Sequence, residues 1–222
     1  MSKVNSNIEK VLNEITKAHE NSHFKELPIP KLVAVSKKQQ DYKVHEALKS
    51  GQRCFGENRV QEAQERWSLK TQKYNNLEIR LIGPLQTNKV KQALNLFDVI
   101  ETIDREKLAK KIAIEFNEGI KTKRFYIQIN TGSEIQKGGI EPLQSDSFIR
   151  YCKKDLRLPV VGLMCIPPLN EEPAMHFALL KKIADRNNLK ELSMGMSNDF
   201  KEAIKFGATS VRVGSAIFGN RE

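Results

Sequence analysis

Short apolar runs alternate along the chain with longer amphipathic stretches, the sign of repeated β/α units on a parallel sheet. The strand candidates are Lys31–Ser36, Arg53–Phe55, Glu78–Ile82, Phe97–Thr102, Phe125–Asn130, Pro159–Met164, Glu191–Met194 and Ser210–Val213. Between them apolar residues recur at helical spacing, as in Leu108, Ile112 and Phe116 or Phe177, Leu180 and Ile183. A leading helix, about Ser6 to Glu20, is closed by the breaker Pro28-Ile29-Pro30. Eight strand-helix units predict an α/β fold of one kind, a single (β/α)8 TIM barrel with an extra N-terminal helix, forming one domain over residues 1–222. An open doubly wound sheet is the competitor, but the turn after the first strand reads Val35-Ser36-Lys37-Lys38-Gln39 and lacks the glycine-rich dinucleotide fingerprint.

Composition narrows the functional classes. With 222 residues, 39% of them hydrophobic, the chain can bury a full barrel core. The polar N-terminus and the absence of a run of about 18 apolar residues predict a cytoplasmic protein without membrane contact. Cys54, Cys152 and Cys165 are odd in number and lack ligand spacing, so neither a disulfide framework nor a metal site is expected. The net charge of +10 is spread over lysine pairs such as Lys110-Lys111 and Lys181-Lys182, which reads as a solvated surface rather than a nucleic-acid face.

The candidate chemistry lies at the C-terminal ends of the strands, where barrels of this kind carry their sites. Lys37 follows the first strand; alone, it reads equally well as a surface lysine beside Lys38. Arg212 sits between Val211 and Val213, on the opposite face of the last strand. If that face is the interior, its buried guanidinium needs either a carboxylate or a ligand acceptor, and both readings stay open. After the last two strands, Met194-Gly195-Met196-Ser197-Asn198-Asp199 and Gly214-Ser215-Ala216 each open a helix. Their N–H groups can meet an anion, Gly195 and Gly214 permit close approach, and Ser197 and Ser215 add hydroxyls, although Ser197 also reads as an N-cap. An amine nucleophile, an arginine and a phosphate cradle on one rim match a phosphorylated aldehyde held as an imine, with pyridoxal 5′-phosphate as the candidate. Arg212 would face its pyridine nitrogen and disfavour protonation there.

The motifs that carry a family resemblance are Val33-Ala34-Val35-Ser36-Lys37, Phe55-Gly56-Glu57-Asn58, Ile82-Gly83-Pro84-Leu85-Gln86-Thr87-Asn88-Lys89, Gly162-Leu163-Met164-Cys165, Leu192-Ser193-Met194-Gly195-Met196-Ser197 and Val211-Arg212-Val213-Gly214-Ser215. In these stretches the chain resembles the pyridoxal phosphate homeostasis proteins, themselves similar to the N-terminal barrel of alanine racemase. The resemblance implies Lys37 as the Schiff-base lysine, Arg212 as the pyridine partner, Ser197, Gly214 and Ser215 as phosphate contacts, and Asn58 and Met164 as lining residues, with turn and core packing as the competing reading of the last two. Two departures stand out. Arg59 replaces the family's usual aromatic, and Ile79-Arg80-Leu81 stands where the family often has Trp-His-Phe. Both arginines could bind a carboxylate or phosphate, but the surface is the expectation for each.

Racemisation needs an acid or base on each face of the reacting carbon. In the racemases that this barrel resembles, a tyrosine from a separate domain supplies the second, and no such domain is expected here. Tyr42, Tyr74, Tyr126 and Tyr151 offer no evident substitute. The resemblance therefore implies a monomeric carrier that sequesters pyridoxal phosphate, serves pyridoxal phosphate-dependent apoenzymes and acts in vitamin B6 homeostasis and amino-acid balance. A weak racemase-like enzyme is the alternative.

Overall fold

The computed structural model describes residues 2–117, 119–134 and 136–219. Its parallel strands are β1 Lys31–Val35, β2 Cys54–Glu57, β3 Glu78–Leu81, β4 Val99–Ile103, β5 Arg124–Gln128, β6 Val160–Met164, β7 Glu191–Ser193 and β8 Ser210–Val213. They close into a (β/α)8 barrel in sequence order. Closure sets Arg212 of β8 beside Val33 of β1, and Val213 beside Ala34. Residues of β3, β5 and β8 such as Ile79, Leu81, Phe125, Ile127, Val211 and Val213 are buried against the surrounding helices. Each such side chain contributes roughly 1.5–3 kcal/mol on leaving water.

Strand limits shift from those expected by a few residues, for local reasons. Phe97 does not begin β4. It caps the helix Val90–Leu96 through a 3.0 Å bond from its N–H to the Ala93 carbonyl, and its ring is fully buried. The leading helix starts earlier than expected, at Lys3, because Ser2 Oγ accepts the Asn5 N–H at 3.3 Å. Lys3–Glu20 buries Val4, Ile8, Val11, Ile15 and His19 along one face and packs on the helices Phe200–Lys205 and Ser215–Phe218. Asn7 of this helix donates at 2.8 Å to the Ile217 carbonyl.

The barrel lumen is built differently. Ser193 Oγ donates to Glu101 Oε2 at 2.6 Å, from β7 to β4; Arg80 Nη1 donates to Ser210 Oγ at 3.3 Å, from β3 to β8; and the Tyr126 hydroxyl of β5 donates to Glu191 of β7. None of these strand pairs is adjacent, so the bonds cross the interior. Arg80 corrects the surface expectation: it is 2% exposed, paired with Glu101 at 2.8 Å and with Glu78 at 2.6 Å. Arg59 is exposed, beside Glu62 at 3.3 Å. The physical reason for the difference is alternation on β3, which turns Arg80 inward where Ile79 and Leu81 turn out.

Candidate functional site

A cavity of about 670 Å³ opens at the C-terminal ends of the strands. Lys37, Asn58, Ser197, Arg212, Gly214 and Ser215 all line it, brought together from the ends of β1, β2, β7 and β8. Met164 does not. It is fully buried in a lumen cluster with Val99 and Tyr126, and Ile166, two residues on, reaches the cavity wall instead.

The loop bearing Lys37 is held from below by a buried carboxylate and from the side by an arginine. Glu57, at the end of β2 and without exposure, accepts on Oε1 from Ser36 Oγ at 2.7 Å, Arg66 Nη1 at 3.0 Å and Trp67 Nε1 at 3.0 Å. Arg66 also donates to the carbonyls of Ser36 and Gln39, each at 2.6 Å, so one guanidinium grips the loop on both sides of Lys37. Lys38 takes the left-handed conformation, φ +56°, that lets the chain turn there. This clamp was not foreseen from the sequence. The signal for it was a tryptophan in a helix just after the Gly-Glu-Asn motif, since a buried indole N–H needs an acceptor.

Arg212 forms part of the cavity's lining and is 4% exposed. Among the described residues no carboxylate lies within ion-pair distance of it. Its Nη1 donates to Ser193 Oγ and its Nη2 to the Cys165 carbonyl, each at 2.8 Å. Two of its five N–H groups are thereby satisfied within the protein, which favours the ligand-acceptor reading over a direct structural ion pair.

Also in the cavity lining, Ser197 Oγ accepts the N–H of Gly214 at 3.3 Å and of Ala216 at 3.5 Å. Hydroxyls and N–H groups thus converge at the start of the short helix Ser215–Phe218. The N-cap of the preceding helix, Phe200–Lys205, is Asp199 rather than Ser197. Gly195 serves the fold rather than a ligand: its φ is +92°, and a Cβ there would lie 2.6 Å from that of Ala203. Gly83 likewise permits close packing, because a Cβ would meet the Asn58 carbonyl oxygen at 2.4 Å. Asn58 Oδ1 is buried without a hydrogen-bond partner, an acceptor in the wall of the cavity.

Burial pushes the thiols of Cys54, Cys152 and Cys165 up to about 12, so none is a ready nucleophile. Among the described residues no tyrosine lines the cavity, no cluster of three or more His, Cys, Asp or Glu could hold a metal ion, and no helix is long and apolar enough to cross a membrane. Lys37 brings an amine, Arg212 a buried cation, and Ser197, Gly214 and Ser215 a set of hydroxyl and N–H groups, all within one cavity.

This architecture is that of a known class of barrel, since residues 18–222 match the family model described as alanine racemase, N-terminal domain. The pyridoxal phosphate homeostasis protein of Pasteurella multocida is 38% identical over 202 residues, 86% of this chain and 87% of its own. That of Aquifex aeolicus is 36% identical over 224 residues, 97% of each chain. The structure of PipY from Synechococcus elongatus with PLP bound is 30% identical and has a TM-score of 0.74, covering 92% of this chain and 100% of PipY. The chain belongs to the pyridoxal phosphate homeostasis protein family.

Proposed function

We propose that this chain binds pyridoxal 5′-phosphate covalently through Lys37 and acts as a carrier in intracellular vitamin B6 and amino-acid homeostasis. The observation that carries the reading is the convergence of an amine, a buried arginine and an anion cradle in one cavity, in a family whose relatives are named for this cofactor and include one solved with it bound. When bound, the cofactor supplies an aldehyde that condenses with a primary amine and a conjugated ring that absorbs visible light. Ser197, Gly214 and Ser215 hold the phosphate, Arg212 serves the ring-nitrogen end, and Asn58 forms part of the wall. The Glu57–Arg66 clamp orients the backbone from which Lys37 projects. Residues 1–222 act as one binding domain, a cytoplasmic monomer that passes cofactor to apoenzymes. That no tyrosine among the described residues lines the cavity supports binding over racemisation, which needs a second acid or base.

The direct test is the absorption spectrum of the purified protein before and after borohydride reduction, followed by peptide mapping. A pyridoxyl adduct on Lys37, lost in Lys37→Ala, is the expected result. A protein that stays colourless and unmodified after incubation with added pyridoxal phosphate would overturn the reading. Transfer to an apoenzyme is expected to outpace free cofactor at equal concentration.

A further inference from the structure

Arg212 lies at one end of a hydrogen-bonded chain that crosses the whole lumen. Its Nη1 donates to Ser193 Oγ at 2.8 Å, so the serine proton is directed onward, to Glu101 Oε2 at 2.6 Å. The other oxygen of Glu101 pairs with Arg80 Nη1 at 2.8 Å, and Arg80 Nε pairs with Glu78 at 2.6 Å. Glu101 has no exposure, and both of its oxygens are engaged. The links alternate charge, cation, hydroxyl, anion, cation, anion, and they join β8, β7, β4 and β3. A fully buried carboxylate is costly unless it has work to do between cations. Here Glu101 is coupled directly to one arginine and, through a single hydroxyl, to the other.

We propose that Glu101 is a positioning residue for Arg212. Through Ser193 it fixes the guanidinium in the cavity, with the Cys165 carbonyl holding the other nitrogen, and its negative charge tempers that of Arg212. Arg80 holds Glu101 in register through its 2.8 Å ion pair. The lumen thereby sets the electrostatic environment at the end of the cavity that meets the ring nitrogen. This rests on the binding reading above, and the test separates the two.

The variants are Ser193→Ala, which breaks the link but leaves the Arg80–Glu101 pair intact, Glu101→Gln, and Ser193→Thr, which restores a hydroxyl. In ligand-free protein, side-chain hydrogen exchange of Arg212 measured by NMR is expected to rise roughly tenfold or more in the first two, as for loss of a charge-assisted hydrogen bond, and to return toward the wild-type rate in Ser193→Thr. In cofactor-loaded protein, the pH midpoint of the visible band is expected to shift in the same two variants while borohydride still yields the Lys37 adduct. Unchanged Arg212 exchange in folded Ser193→Ala would overturn the proposal regardless of any ligand. An adduct on Lys37 with an unshifted spectral titration would overturn this proposal alone. No adduct on wild-type Lys37 would overturn the binding reading and this one with it.

Discussion

On β3, Glu78 and Arg80 point into the barrel while Ile79 and Leu81 point out towards the helices, and the alternation continues with Glu101 and Ile100 on β4 and with Arg212 and Val211 on β8. The outer layer is held by many interchangeable apolar contacts, such as Phe125 against Phe116 with ring centroids 5.4 Å apart. The lumen is held by a few specific charges, where barrels of this kind more often pack branched apolar side chains. Apolar contacts are tolerant of substitution and nearly additive between distant sites, whereas a buried charge depends on its partner. The contrast separates the part of the molecule that makes the fold from the part that aims side chains into the cavity.

The largest expected effect breaks this contrast at its centre. Arg80→Met leaves the buried Glu101 without its ion-pair partner and is expected to cost about 3–5 kcal/mol. The double variant Arg80→Met/Glu101→Gln removes both charges and is expected to be more stable than Arg80→Met alone. Urea unfolding of the three variants that close the cycle measures the coupling. If the double variant lost the sum of the two single losses, the lumen would behave like the outer layer, and the distinction drawn here would fall.

A smaller effect comes from acid. Burial alone would raise the Glu78 pKa, but Arg80, with Lys31 and Arg124, outweighs it and holds the carboxyl down at about 2. A group depressed in the folded state stabilises above its unfolded value, near 4.5, and that contribution disappears as pH falls toward about 2. Wild-type stability is therefore expected to fall between these values, and Glu78→Gln should lower stability at neutral pH while flattening that acid limb. A parallel acid limb in the variant would assign the acid sensitivity to other carboxylates.

How far the molecule could be read beforehand follows the same division. The outer layer repeats locally, so the strand and helix alternation, the order of the barrel and five of the rim residues, Lys37, Ser197, Arg212, Gly214 and Ser215, were legible from neighbouring positions, while Asn58 came only from the family resemblance. The lumen is assembled only on closure. Arg80 meets Glu101 across 21 positions, and Tyr126 meets Glu191 across 65, so no local pattern announces either pair. Arg80 was read as exposed even though Ile79 and Leu81 flank it as Val211 and Val213 flank Arg212. Met164 was read one layer too high because its motif ends at the rim, whereas its side chain turns inward to Val99 and Tyr126. The Glu57 clamp escaped notice because its members come from separate stretches: Ser36 follows β1, Glu57 ends β2, and Arg66 and Trp67 share the helix Val60–Trp67.

The smallest expected effect uses a second arginine as the control. Arg59 and Arg80 are the same residue type, but Arg80 alternates with the apolar Ile79 and Leu81 on a strand, whereas Arg59 follows Asn58 at the start of a helix. Arg59 lies 70% exposed in its side chain and pairs with Glu62 only one turn away, a contact that water and salt weaken. Arg59→Met is expected to leave the urea midpoint within experimental error of wild type and to be insensitive to whether Glu62 is also changed. Applied in parallel with Arg80→Met, the same substitution chemistry then reports only the environment. A loss at Arg59 comparable to that at Arg80 would mean that removing an arginine is costly wherever it stands, and burial in the lumen would no longer explain the difference.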